Sequence, residues 1–522
     1  MFAITHRTQA SAGRAGRVLA LVMLAALLLG MFASVSAQAE TTLRVGMEVP
    51  VVLDPAQGSN DPETAFNRAI RDYLIEVRPD SSIAPNLASE WAISDDGLTY
   101  TFTLVEGVTF HDGSPFTSAD VVFTFNRLRE VGSAALRLLG DFEVSAPDET
   151  TVVFSIPAPN ADFLYGVASR FALILKDGTT DPATDYNGTG PFILESVDAN
   201  AGGSAVFTAN PNYWKEGQPA ISRMEHIYFA GDAVTQLDAL SSGELDLVYK
   251  IPIALVSEGI ADGLQVIEQQ TSQHGVIRLR VDTGPGTEVA VRQAFKHATN
   301  RDELNELLLD GRGTVGNNDP IAPAYGVFYD ESIENQEFDP ERACELLAEA
   351  GYPDGLTMTL YAPIAFEYPD LAVLLQNQWA EGCINVDVQT VEAGQYYTTS
   401  NEINYCDVEL GITGWGDRPV PQLFFLEAYT TAAIDEGCTN GFNESRFSDS
   451  EVDELVAQAG VTADETERAA IYSQISQIFA ERGPIIVPYF APMIGVASNR
   501  VQGLELAPFP GMTDYRTVTI AE

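Results

Sequence analysis

The residues best suited to chemistry stand together in Gly411–Phe424, GITGWGDRPVPQLF, where Trp415, Asp417 and Arg418 bring an aromatic ring, an acid and a base into one short stretch. Its glycines and prolines keep this stretch out of regular structure, so it reads as an ordered loop. A carboxylate or guanidinium held there makes charge-assisted hydrogen bonds to a ligand, whereas the bland alternative is a salt bridge between loop neighbours. Patterns for catalysis are missing from the sequence: there is no G-x-S-x-G, H-E-x-x-H or C-x-x-C, and the histidines beyond residue 39 (His111, His226, His274, His297) are scattered. Gly311–Gly316 spells G-x-G-x-x-G, but it follows the helical pattern Asp302–Leu309 and not a strand, so it reads as a loop. Asn187-Gly188-Thr189-Gly190-Pro191 lacks the Lys-Ser/Thr and the following helix of a phosphate-binding loop, and reads as a tight reversal. Binding without turnover is expected, with no cofactor and no metal site.

The ends and totals say where such binding takes place. Arg7, Arg14 and Arg17, the apolar run Val18–Phe32 and the small-residue end Ala37-Gln38-Ala39 make a secretory signal cleaved near Ala39. Fifteen apolar residues are short for a membrane span, and no cysteine lies near this end to carry a lipid, so a free periplasmic protein is expected and not a lipoprotein. Cleavage leaves 483 of the 522 residues, enough for two or three domains. Lys and Arg total 28 against 74 acids, a net charge of −46. Such a surface repels phosphate backbones, so nucleic acid is excluded as a partner, and a solvated or salt-adapted surface is the preferred reading of the acidity. The cysteines Cys344, Cys383, Cys406 and Cys438 permit disulfides in an exported chain, with three pairings open. Cys344 with Cys383 and Cys406 with Cys438 are preferred, because each pair brackets one local supersecondary unit.

Local signals are densest in Ala88–Arg127. Leu98, Tyr100, Phe102 and Leu104 alternate with threonines as in a strand with one buried face. Asp95-Asp96-Gly97, Glu106-Gly107 and His111-Asp112-Gly113 supply turns. Thr117 and Asp120 form a capping pattern that opens a helix with Val121, Val122, Phe125 and Leu128 as its apolar stripe.

The run from Trp91 to Val122, W-x-x-S-x-D-G-L-T-Y-T-F-x-L-x-x-G-V-x-F-H-D-G-x-P-F-T-x-x-D-V-V, resembles the signature of bacterial extracellular solute-binding protein family 5, whose members serve peptide, dipeptide, oligopeptide and nickel ABC importers. Further landmarks resemble it in order: Gly188–Phe192, Asn210–Trp214, Gly243–Leu247, Val289–Arg301 (with Asn300 where Asp is common) and Asp339–Tyr352.

The resemblance implies an α/β, two-lobed periplasmic-binding-protein-like fold (type II, cluster C) with an extra domain in the first lobe and two hinge crossings. The implied domains are a signal peptide 1–39, domain I from 40–83, 188–275 and 490–522, domain II 84–187, and domain III 276–489. It implies capture of a peptide between the lobes, delivery to an inner-membrane permease, and a monomer. The alternatives are the same role for a nickel chelate, an oligosaccharide or an opine-like compound, and, from another class, a chaperone-like or scaffold protein. In peptide-binding relatives an Asp four residues before a Pro receives the ligand's α-ammonium, and Asp417 stands four before Pro421. The relatives' Trp precedes that Asp by three residues, whereas Trp415 precedes Asp417 by two and Arg418 by three. Either Asp417 reads an ammonium, or Arg418 reads an anion with Asp417 orienting it, and Trp415 offers a wall or packs. Position in the implied cleft adds Glu48 and Val49 in the first cleft loop and Tyr489 at the second crossing.

Overall fold

Strands build three large sheets and three two-stranded ones along the chain, and helices cover them. The computed structural model describes residue 1 and residues 41–521 apart from 59, 232, 436, 439 and 440. The expected signal segment beyond Met1 and its cleavage point lie outside the described residues. Thr42–Glu522 forms one unit, and among the described residues no helix is long and apolar enough to cross a membrane.

β1 (Thr42–Glu48) buries Leu43, Val45 and Met47 on one face, as a period of two dictates. α1 (Asp61–Ile70) follows. The chain then makes an antiparallel sheet from β2 (Ala88–Ile93), β3 (Thr99–Leu104), β4 (Glu143–Asp148) and β5 (Thr151–Ser155), in the order β2-β3-β5-β4. Tyr100, Phe102 and Leu104 are buried, and α2 (Ser118–Glu130) turns Val121, Phe125 and Leu128 into the same core. Its start is held by the Thr117 N–H donating to Asp120 Oδ2 at 2.7 Å. Phe125 and Phe102 each meet Phe154 edge-on, at 4.8 and 5.6 Å between centroids.

β6 (Phe192–Val197), β7 (Ser204–Ala209), β8 (Arg223–Phe229), β9 (Leu247–Val248) and β10 (Leu264–Gln269) bring the chain back beside β1. Between Gln269 and His274 it leaves for a five-stranded sheet of β11 (His274–Leu279), β12 (Leu356–Ile364), β13 (Ile384–Glu392), β14 (Leu410–Trp415) and β15 (Ile485–Ile486), ordered β13-β12-β14-β11-β15. Around it lie α3 (Pro340–Glu349), α4 (Tyr368–Glu381) and α5 (Glu465–Arg482). β12 and β13 are parallel because α4 carries the chain across between them. After Ile486 the chain returns, and β16 (Met493–Ser498) completes the first sheet, ordered β10-β16-β9-β1-β8-β7-β6. The fold is therefore α/β and two-lobed, with the seven- and four-stranded sheets in the first lobe and the five-stranded sheet in the second.

Several sequence landmarks converge on one buried carboxylate. Asp72 accepts from Thr189 Oγ1 at 3.1 Å, Tyr213 OH at 2.9 Å and Trp214 Nε1 at 3.2 Å. Burial pushes its carboxyl up, while the charges of Arg516 and Lys215 and these donors pull it back. Gly188 lies so close to the end of α1 that a Cβ there would stand 1.9 Å from the Ile70 carbonyl oxygen. His111 Nε2 meets the Gly190 carbonyl at 3.0 Å. These residues fasten the two sheets of the first lobe. In the second lobe disulfides join Cys344 to Cys383, tying α3 to the end of α4, and Cys406 to Cys438.

Candidate ligand-binding cleft

The lobes meet along a seam that is closed in this structure. On the first-lobe side stand the segments after α2 and β5; on the second-lobe side stand the loop after β14 and α5. Asp162 and Arg468 pair across it at 2.6 Å, the Ala161 N–H donates to the Gly460 carbonyl at 2.8 Å, and Leu138 and Tyr165 pack against Val420 and Leu423. Glu427 is buried between two cations: Arg137 from the first lobe reaches Oε1 at 2.6 Å, and Arg418 reaches Oε2 through Nε and Nη2, each at 3.1 Å.

These contacts enclose a cavity of about 150 Å³ lined from both lobes, including Arg170, Phe509, Asp417, Arg418 and Glu427. Asp417 is half-buried at the start of the loop that β14 launches. Its Oδ1 accepts from the N–H and the hydroxyl of Ser272, both at 2.8 Å, which ties the loop to the segment that crosses between lobes. Among the described residues its Oδ2 accepts no hydrogen bond. Burial raises the carboxyl, and the Ser272 donors and the charges of Arg418 and Arg170 oppose that rise. Arg418 is committed elsewhere: besides Glu427 it donates through Nη1 to the carbonyls of Gly416 and Asp417, at 3.2 and 3.3 Å.

Arg170 is the cation with capacity to spare. Its guanidinium lies 4.1 Å over the Phe509 ring and 4.8 Å over Phe171, and it makes no ion pair or hydrogen bond among the described residues. Burial and then the nearby Arg418 charge push it down to about 10. Sequence reasoning passed over this residue, which belongs to no motif. The available signal was composition: in a chain with 28 basic residues against 74 acids, one arginine inside the apolar run Val167–Leu175 calls for a reason.

The other sequence candidates fall in different surroundings. The Trp415 ring is buried against Phe424 and Phe442 and lines neither this cavity nor the one described below. Val49 is half-buried against the core of the seven-stranded sheet. Tyr489 is buried and donates its OH to Glu367 Oε1 at 3.0 Å. Glu48 lines a second, separate cavity. Among the described residues no cluster of His, Cys, Asp or Glu has a metal-binding arrangement.

Two lobes closed over a cavity lined by charged side chains from both mark the chain as a two-lobed binding protein. It belongs to the bacterial extracellular solute-binding proteins, family 5, which residues 82–436 match. It is 29% identical over 521 residues to di/tripeptide-binding protein 1 of Pseudomonas aeruginosa (strain UCBPP-PA14), covering 91% of this chain and 93% of that protein. To heme-binding protein A of Haemophilus influenzae it is likewise 29% identical, over 503 residues, covering 89% and 88%. Among solved structures, HbpA2 from Haemophilus parasuis superposes with a TM-score of 0.79 at 27% identity, covering 92% of this chain and 100% of that one.

Proposed function

We propose that the protein is the exported binding subunit of an ABC importer, which encloses a short peptide between its lobes and presents it to an inner-membrane permease. One observation carries the peptide: the open Oδ2 of Asp417 and the acid-free guanidinium of Arg170 line a single cavity. An ammonium at the first and a carboxylate at the second are the two charges every unblocked peptide shares. Charge-assisted bonds to both orient the chain without selecting its side chains. In this reading Arg418 positions the loop through Glu427, and the two crossings, Gln269–His274 and Ile486–Met493, act as hinges for closure. The similarity to di/tripeptide-binding protein 1 of Pseudomonas aeruginosa supports the peptide, while heme-binding protein A, an equally identical relative, is named for a ligand of another kind. The chain works as a monomer, free in the periplasm after cleavage near Ala39, and binds without turnover.

Calorimetric titration with Ala-Ala, N-acetyl-Ala-Ala and Ala-Ala amide tests this. Saturable one-to-one binding of the unblocked peptide is expected, with each blocked form at least about tenfold weaker. Equal binding of the acetylated peptide removes Asp417 from the site, and equal binding of the amide removes Arg170. Failure of every unblocked di- and tripeptide tried, with a different compound found by native mass spectrometry of the purified protein, overturns the peptide reading.

A further inference from the structure

On the other side of the crossings lies a cavity of about 530 Å³ that shares no lining residue with the first. It sits beyond the carboxyl ends of parallel strands from both lobes. β1 ends at Glu48 and β9 is followed by Tyr249–Ala254, while β12 is followed by Phe366–Asp370. Crevices at such strand ends are where α/β folds place ligands. Gln273 and Ala491, within the two crossings, form part of the wall.

Two properties of the lining point to one ligand chemistry. The walls are apolar, with Ile251, Ile253, Leu308, Phe366, Met493 and Ile494 facing the space. The charges are unbalanced. Among the described residues Glu48, Glu367 and Asp370 line it against one cation, Lys250, which is itself 3.4 Å from Asp61. Glu367 is half-buried, and its one side-chain partner among the described residues is a neutral donor, the Tyr489 hydroxyl at 3.0 Å. No cation pairs with it among the described residues, and burial raises its carboxyl. A partly desolvated carboxylate beside apolar walls gains most from a cation that brings its own apolar surface. At the lip, Phe366 is exposed and holds φ 50°, a left-handed conformation rare for a bulky residue.

We propose that this cavity binds a protonated amine on an apolar stem, with Glu367 as the ammonium receiver and the aliphatic walls around the stem. An anion would face three carboxylates there, and a neutral apolar molecule would cover the half-buried Glu367 without supplying a counter-charge. The proposal does not rest on the peptide reading of the first cavity.

The test titrates the purified protein with octylammonium chloride at physiological salt, with octanoate and 1-octanol as comparison arms. Octylammonium is expected to bind one-to-one, at least about tenfold tighter than either comparison compound. Glu367→Gln, which keeps the shape and an acceptor for Tyr489, should weaken it about tenfold while leaving Ala-Ala affinity unchanged. Asp370→Asn, at an exposed helix start, serves if the first variant does not fold, and should weaken octylammonium binding in the same direction. Equal binding of octanoate or octanol, unchanged octylammonium affinity in the folded variants, or full displacement of octylammonium by Ala-Ala would each overturn the proposal.

Discussion

Asp162→Asn is the substitution that most directly probes closure. In the closed structure Asp162 and Arg468 are 2.6 Å apart with side chains 3% and 5% exposed, so each is the other's replacement for water. Asparagine keeps the shape and removes the charge, leaving the Arg468 guanidinium buried without a counter-ion. Breaking a buried pair in this way costs about 3–5 kcal/mol. When the lobes separate, Arg468 regains water, so the penalty falls on the closed form alone. At about 1.4 kcal/mol per factor of ten, the lower figure corresponds to roughly 100-fold weaker binding of a ligand that is held only by the closed form. Titration of Ala-Ala into the parent and the variant reads this directly, and small-angle scattering should show the variant more expanded at equal ligand concentration. Adding Arg468→Gln removes the stranded charge and should recover most of the loss, because a pair of neutral groups carries no such penalty. Peptide affinity in Asp162→Asn within about threefold of the parent would refute the reasoning, since the pair would then contribute nothing to closure.

Two further predictions concern the second lobe. Asp319 is fully buried, and burial pushes its carboxyl up to about 7, opposed by the Ile321 N–H, Ser476 and the Lys296 charge. Because the folded value lies above the unfolded one of about 3.9, its contribution is fully present below pH ~4 and is lost as pH rises through about 7. Asp319→Asn should therefore flatten the fall in urea-unfolding stability between pH 5 and pH 8, a change of up to ~3 kcal/mol within that window; an unchanged slope would refute the assignment. Replacing Cys344 and Cys383 together by alanine opens a loop with a sequence separation of 39, and should lower stability by about 2–4 kcal/mol. A chemical-denaturation midpoint that does not move would show that this bond does not restrain the unfolded chain.

Much of the frame was legible because its signals are local. Thr117 and Asp120 lie three residues apart and close a hydrogen bond on the same turn, so the start of α2 could be read without knowing what it packs against. The alternation through Tyr100, Phe102 and Leu104 likewise states its buried face. The landmark residues His111, Thr189, Tyr213 and Trp214 could be noticed in the sequence, but their common purpose could not. Asp72, which gathers three of them, is separated from its partners by 117 to 142 positions.

The sequence by itself determined the α/β class and the family, since each depends on residue types at short or ordered spacing. Gly411–Phe424, read as a loop, is instead strand β14 up to Trp415 and a helical turn from Pro421, with only the residues between them in a loop, because pairing with β11 holds Gly411 and Gly414 in the sheet. Tertiary structure alone decided which charges in that loop are free. Arg418 is consumed by Glu427, which also holds Arg137 from 290 positions away, and Asp417 gives one oxygen to Ser272 from 145 positions away. Arg170 gains its meaning only because closure brings it into the cavity that Asp417 lines. Charge pairing across a cleft depends on distances that no local pattern encodes, so binding capacity becomes visible only once every neighbour has been placed.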